Sequence, residues 1–320
     1  MVITYILFAL GIYLLLKSAD WIVDSSTSMA KKMGISSLII GLTVVAFGTS
    51  LPELVVNIFA AFQGAAEVSF GNIVGSNIAN ILLVLGITAM IGAIKVKSDT
   101  VWKQIPFALL AAFVLFIMAS RTPLGGGPNF LSWNDGLLLL SIFAVFLYYV
   151  FQSAKKDKGN LARPKNEEID ANWKIAVKLI IGLVGIYFGG RWVVDGAVAV
   201  ATQFGLSEYL ISATIIAIGT SLPELVVCVV AAAKKNLDLA VGNIVGSNIF
   251  NVLWVFGVIP FIAPLRVPRF IPLDVGVMFL ATLLLFIFMF LGKRHHLSRK
   301  DGLVFVLFYI LYLAFIIIRG

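Results

Sequence analysis

Charge is scarce in this sequence, histidine scarcer, and cysteine occurs once. Only 12% of the 320 residues are charged and 60% are hydrophobic, whereas a soluble globular domain carries roughly 25% charge. That shortage excludes a soluble fold. A lone Cys228 forms no internal disulfide, and a single thiol in an apolar run is expected to pack as a small core hydrophobe. The two histidines, His295 and His296, are neighbours in a basic stretch far from any acidic cluster, and read as solvated loop residues. No His-Glu-x-x-His helix and no Ser/His pair lies in an apolar run, so an intramembrane protease is excluded; the chain is expected to be neither an enzyme nor a cofactor carrier. Long polar tracts are missing too. The one polar stretch, Gln152 to Asn172, is too short for a regulatory calcium-binding domain.

What the chain has instead is apolar runs of about 20 residues, the length that crosses a bilayer core. Ten can be read, at about 2–30, 36–63, 68–93, 102–120, 133–151, 173–203, 207–233, 237–263, 270–292 and 302–318. Short polar or Gly/Pro-bearing turns such as Lys31-Lys32-Met33-Gly34 separate them. The first run follows Met1 directly, without a basic leader or a small-residue cleavage site, and is expected to be retained.

The net charge of +8 marks topology, not a nucleic-acid surface. Basic residues crowd the loops after the odd-numbered runs, including Lys31, Lys32, Lys97, Lys155, Lys156, Lys234, Lys235, Lys293 and Arg294. The loops after even-numbered runs, with the C-terminus, hold only Arg121, Arg266, Arg269 and Arg319. Positive charge favours the cytoplasm, so both termini are expected outside and the 152–172 loop inside, in a multi-pass protein of the plasma membrane.

A shift of 171 residues lays Thr43–Gly86 on Thr214–Gly257 without a gap, with 25 identities in 44 positions. Trp21, Asp24, Gly34 and Ser36 likewise meet Trp192, Asp195, Gly205 and Ser207. Five runs separate the copies, an odd number, so the second copy crosses the membrane in the opposite sense. The expected architecture is all-α: ten transmembrane helices in two inverted five-helix repeats, 1–151 and 173–320, joined by the 152–172 loop. In secondary transporters of this layout the substrate site lies near the midplane between the halves. Duplicated folds also occur in channels and scaffolds, and a channel would conduct one ion without counterflow of another.

Two strings per copy carry the densest identity: Gly48-Thr49-Ser50-Leu51-Pro52-Glu53 with Gly71-Asn72-Ile73-Val74-Gly75-Ser76-Asn77-Ile78-Ala79-Asn80, and Gly219-Thr220-Ser221-Leu222-Pro223-Glu224 with Gly242-Asn243-Ile244-Val245-Gly246-Ser247-Asn248-Ile249-Phe250-Asn251. Ser50-Leu51-Pro52-Glu53 has the form of a helix start, with a hydroxyl cap, an early proline and an acid at the third helical position. In the middle of an apolar run it predicts a broken helix, tolerated only where it faces protein or a wet cavity. Carbonyls freed at the breaks, from Ala46 and Ala217, would be hard oxygen ligands. A carboxylate at membrane centre costs about 3 kcal/mol, and the chain places Glu53 and Glu224 there at matching positions. Asn72, Ser76 and Asn80, four apart, share a helix face, as do Asn243, Ser247 and Asn251. Gly71 with Gly75, and Gly242 with Gly246, are small pairs that admit a close helix. For Asn72, Asn77, Asn243 and Asn248, interhelical bonding and ion contact both stand. The set is carboxylate, hydroxyl, amide and carbonyl oxygen, which suits calcium and sodium, not transition metals.

These paired strings resemble the two alpha repeats of the cation/calcium exchanger superfamily, in its prokaryotic sodium/calcium exchanger branch. The resemblance spans the chain and implies sodium/calcium antiport by alternating access, without cofactor, probing no partner but the ions and the lipid, and compatible with a monomer. It implies ion ligands at Ala46, Thr49, Ser50, Glu53, Ser76 and Asn80, and at Ala217, Thr220, Ser221, Glu224, Ser247 and Asn251. It further implies four sites in a diamond, one for calcium and three preferring sodium, and sliding of the first and sixth helices. Asp24 and Asp195 then read as interface or entry residues. Amides at Asn80 and Asn251, where potassium-dependent relatives have aspartate at the latter, argue against potassium cotransport. Glycine at Gly75 and Gly246, where proton-coupled relatives carry an acid, leaves calcium/proton exchange as the second reading.

Overall fold

A computed structural model describes residues 2–121, 128–160, 171–205, 217–291 and 293–319. Eleven helices organise them: α1 (Val2–Met33), α2 (Ser37–Thr49), α3 (Leu51–Phe62), α4 (Ala66–Ile91), α5 (Thr100–Ser120), α6 (Trp133–Asn160), α7 (Asn172–Gln203), α8 (Leu222–Ala233), α9 (Leu237–Ile262), α10 (Ile271–Phe288) and α11 (Arg299–Arg319). Among the described residues, eight are long and apolar enough to cross a membrane, and α2 with α3 makes a ninth span bent by 41°. The predicted run at 207–233 is described only from the short turn Ala217–Gly219 onward, so its first half lies outside the described residues. The predicted 152–172 loop begins late, because α6 continues to Asn160.

Burial sorts the helices into centre and rim. About four-fifths of the central windows of α4 and α9 is buried (78% and 83%), against 22–33% for α1, α6, α7 and α11. The rim helices turn large apolar side chains outward, among them Tyr148, Ile180 and Leu311, which is the surface a lipid phase requires. Helices α1 and α7 have 32 residues each, more than the about 20 a bilayer crossing needs. They lie close enough that a Cβ on Gly189 would sit 2.9 Å from the Leu15 nitrogen, and one on Gly185 would strike the Ser18 hydroxyl.

The α2/α3 break has a local cause. Pro52 has no N–H to continue the ladder, and Ser50 leaves helical geometry at φ −88°, ψ 3°. The second copy repeats it at Ser221, with φ −90° and ψ 5°, before Pro223. Both central helices then widen into a π-helical turn, Asn80–Val84 in α4 and Phe250–Val255 in α9. Such turns concentrate at functional sites.

Two small strand pairs tie loops together. β1 (Ile94–Lys95) pairs antiparallel with β4 (His296–Leu297), and β2 (Phe130–Leu131) with β3 (Leu265–Arg266). Lys97 pairs with Asp238 at 2.6 Å, and the Asp157 carboxylate accepts from the Ser36 N–H at 3.0 Å. The loops after the third, seventh and ninth runs thus meet one another, as do those after the first and fifth, and those after the fourth and eighth. The strand also corrects the reading of His295 and His296 as solvated: both are half-buried, and His295 takes φ +57° and pairs through its backbone with Met289 and Val96.

Candidate cation site

Both breaks and both π-helical turns meet at the centre. Glu53 sits in the first turn of α3 and Glu224 in the first turn of α8, each with no exposed surface. Ser76 on α4 donates to Glu53 Oε1 at 3.3 Å, and Ser247 on α9 donates to Glu224 Oε1 at the same 3.3 Å. Hydroxyls join the two halves: Ser221 donates to Ser76 Oγ at 3.2 Å, Thr49 Oγ1 lies 3.3 Å from Ser247 Oγ, and Ser50 donates to Glu224 Oε1 at 3.5 Å. Thr49, Ser50, Ser76, Ser221, Ser247, Asn80 and Asn251 are all buried.

Four oxygens in this cluster are buried with no hydrogen-bond partner among the described residues: Glu53 Oε2, Glu224 Oε2, Asn80 Oδ1 and Asn251 Oδ1. Leaving one buried polar atom unpaired costs about 1–3 kcal/mol, more when it is charged. These four come as two symmetric pairs, all acceptors. Carboxylate and amide oxygens are the ligand types that a hard cation takes.

Several expectations need correction. The Ser50 and Ser221 hydroxyls do not cap α3 and α8; they reach across to Glu224 and Ser76 instead. Nor is the Ala46 carbonyl freed, since it accepts from the Ser50 N–H at 3.0 Å and from Thr49 Oγ1 at 3.4 Å. At the second break the Ser221 N–H turns to the Ile218 carbonyl at 3.0 Å; the side chain of Ala217 lies outside the described residues. Gly242 and Gly246 admit a close helix as expected: a Cβ on Gly242 would come within 2.4 Å of the Leu38 carbonyl, and one on Gly246 within 2.7 Å of Ala46 Cβ. For Gly71 and Gly75, no described atom lies within 4 Å of such a Cβ.

The four other asparagines separate. Asn77 and Asn248 bond across the interface between α4 and α9. Asn243 accepts from Thr49 Oγ1 at 3.1 Å and donates to Cys228 Sγ at 3.4 Å, so the thiol is a packed, buried partner. Asn72 donates weakly to the Glu53 carbonyl at 3.5 Å and leaves its Oδ1 without a partner among the described residues. Asn57 escaped the sequence reading: it donates to the Glu53 carbonyl at 2.7 Å and receives the Ser69 hydroxyl, which secures the turn that carries the acid. Its signal was its place four residues after Glu53. Asp24 and Asp195 do not meet the site; Asp24 pairs with Lys234 at 2.7 Å and Asp195 with Arg191 at 3.8 Å.

A cavity of about 640 Å³ leads inward from the face that bears Arg269 and Arg319 to Asn72, Gly75 and Thr220. Paired residues therefore differ in surroundings. Thr49 is fully buried and Thr220 is half-buried on the cavity; Asn243 is sealed and Asn72 lines it. At the outer wall, Arg319 holds Asp274 through two bonds of 2.9 Å.

Comparison with known proteins adds independent findings. A family model described as sodium/calcium exchanger protein matches residues 3–152 and 174–318. A protein carried provisionally as an antiporter, CaxA, of Alkalimonas amylolytica is 39% identical over 319 residues, 98% of each chain. Sodium/calcium exchanger MaX1 of Methanosarcina acetivorans is 30% identical over 344 residues, again 98% of each. Among solved structures, the sodium-calcium exchanger NCX_Mj soaked with sodium and strontium superposes with a TM-score of 0.81 at 32% identity, covering 98% of both chains.

Proposed function

Since this chain belongs to the sodium/calcium exchanger protein family, we propose that it exchanges sodium for calcium across the plasma membrane by alternating access. The observation that carries the proposal is the set of four buried oxygens on Glu53, Glu224, Asn80 and Asn251 that have no hydrogen-bond partner among the described residues. Their cation is the transported substrate, and no other cofactor is needed. Thr49, Ser50, Ser76, Thr220, Ser221 and Ser247 add hydroxyl oxygens. Ala46 and Ala217 add carbonyls, with the Thr49 hydroxyl moving off the Ala46 carbonyl toward Asn243 or Ser247, both already within its reach.

Two carboxylates give the site a charge of −2. One calcium ion neutralises it, and three sodium ions overcompensate by one. Either load is bound in place of the other, which makes the site an exchanger. At three to one, each cycle carries one net charge, and the potential contributes about 2.3 kcal/mol per 100 mV.

The ten helices form two inverted repeats, 1–151 and 173–320, about this site, with both termini and the Arg269/Arg319 face outside and the 152–172 loop inside. The unequal surroundings of Thr49 and Thr220, and of Asn243 and Asn72, support this reading: a twofold pair of sites occupies one of two states, open here toward the Arg319 face. Exchange of the two environments, by movement of the α1 and α7 pair past the rest, is the transport step. Electrogenicity tests the stoichiometry. In proteoliposomes clamped with potassium and valinomycin, three-to-one exchange reverses at a potential set by three sodium terms and one calcium term, and two-to-one exchange would show no voltage dependence.

A further inference from the structure

Asn77 and Asn248 stand three residues before Asn80 and Asn251 and are themselves buried. Asn77 Nδ2 donates to the backbone oxygen of Asn248 at 3.2 Å, and Asn248 Nδ2 donates to the backbone oxygen of Asn77 at 3.2 Å. A backbone carbonyl only accepts, so each of these amides must point its NH2 at the opposite backbone and its oxygen the other way. That oxygen meets the next amide. Asn248 Oδ1 accepts from Asn80 Nδ2 at 3.0 Å, and Asn77 Oδ1 accepts from Asn251 Nδ2 at 3.0 Å. With their nitrogens so committed, Asn80 and Asn251 turn their own Oδ1 atoms to the opposite edge, where both are buried with no partner among the described residues.

The polarity of the whole array thus starts at two backbone carbonyls and ends at two buried oxygens, Asn80 Oδ1 and Asn251 Oδ1. Flipping any one amide would set oxygen against oxygen or N–H against N–H. Met278 Sδ, 3.5 Å from Asn77 Nδ2, takes a further contact on the same edge of Asn77 and favours the same orientation.

We propose that Asn77 and Asn248 are positioning residues: each fixes the amide of the other repeat's ligand, Asn251 and Asn80 respectively, so that oxygen and never NH2 faces the cation. This rests on the reading of Asn80 and Asn251 as ion ligands. A free amide presents either edge, and its NH2 edge repels a cation; a carboxylate has oxygen at both edges and needs no such control.

The test is a double-mutant cycle on the purified full-length protein, with calcium affinity from titration calorimetry and sodium-driven calcium uptake as readouts. Thermal unfolding in ion-free buffer monitors the fold. Asn248→Leu is expected to weaken calcium binding at least tenfold when residue 80 is native, and less than threefold in the Asn80→Asp background. An equal loss in both backgrounds would overturn the proposal, because a merely structural contact is indifferent to which edge of residue 80 carries oxygen. Asn77→Leu with and without Asn251→Asp repeats the comparison through the other repeat, should the first variant not fold. Asn80→Ala separates the two claims: wild-type affinity in that variant would remove Asn80 as a ligand, whereas lost affinity combined with an equal Asn248→Leu penalty in both backgrounds would remove only the positioning role.

Discussion

Glu53 and Ser76 meet at 3.3 Å across α3 and α4, and 171 residues later Glu224 and Ser247 meet at the same 3.3 Å across α8 and α9. The repeat in the sequence is therefore a repeat in site geometry, with each serine oxygen also linked to the other half through Ser221 or Thr49.

Ser76→Ala and Ser247→Ala each remove a hydrogen bond to a buried carboxylate and, on the proposed function, an ion-facing oxygen. A hydrogen bond to a charged group contributes about 1.5–3 kcal/mol, so each variant is expected to lose about tenfold or more in calcium affinity. Titration calorimetry on both variants checks the magnitude; a loss at one serine only would break the equivalence of the two halves.

The crossing of α2 over α9 leaves no room for a side chain. A Cβ on Gly41 would lie 2.6 Å from the Leu239 carbonyl, and backbone cannot yield cheaply. Gly41→Ala and Gly242→Ala are each expected to destabilise the protein by about 1–3 kcal/mol, the usual cost of overpacking. At Gly276 the nearest atom, on the Phe116 ring, is 3.4 Å from such a Cβ, so Gly276→Ala should be tolerated. Thermal unfolding in detergent compares the three.

Asp274 is nearly buried and is paired with Arg319 through both of its oxygens. Breaking a buried pair from one side costs about 3–5 kcal/mol because the remaining charge is stranded; Arg319 is partly exposed, so Arg319→Met should sit near the lower end. Replacing both, Asp274→Leu with Arg319→Met, should recover most of that loss. Unfolding of the single and double variants measures it, and an additive loss in the double variant would contradict the pairing account.

Lys234 ties the end of α8 to α1 through Asp20 and Asp24. Burial alone would lower its pKa, but the two carboxylates outweigh that and hold it above the ordinary lysine value of 10.5. A raised folded-state pKa gives stability that is complete below the unfolded value and lost only as pH rises through the folded one. The tie should therefore be unaffected between pH 6 and 9, and Lys234→Met should cost about 0.2–1 kcal/mol there, the range for exposed ion pairs. Unfolding at several pH values tests both statements.

Much of this was legible because it rests on groups that physics keeps out of a bilayer. Carboxylates at Glu53 and Glu224 and prolines at Pro52 and Pro223 are costly in an apolar run, so their doubled presence announced the broken helices and marked a candidate cation site. What stayed hidden depends on side-chain direction. Ser50 reads as a cap, since local spacing cannot show that Glu224 offers its hydroxyl an acceptor 174 residues away. The bonding of Asn77 to Asn248 was likewise undecidable, because helical spacing places both on α4 and α9 but says nothing of which amide edge faces which backbone. Asp274 went unnoticed in an otherwise apolar run, its partner lying 45 residues on at the chain's end.

The most direct measurement is calcium uptake into sodium-loaded proteoliposomes, with potassium-loaded vesicles and an imposed pH gradient as controls, for the native chain and for Glu53→Gln. The account predicts uptake that requires the outward sodium gradient, ignores the pH gradient, and falls at least a hundredfold in the variant. Uptake that runs unchanged without sodium, or follows the pH gradient instead, would contradict it.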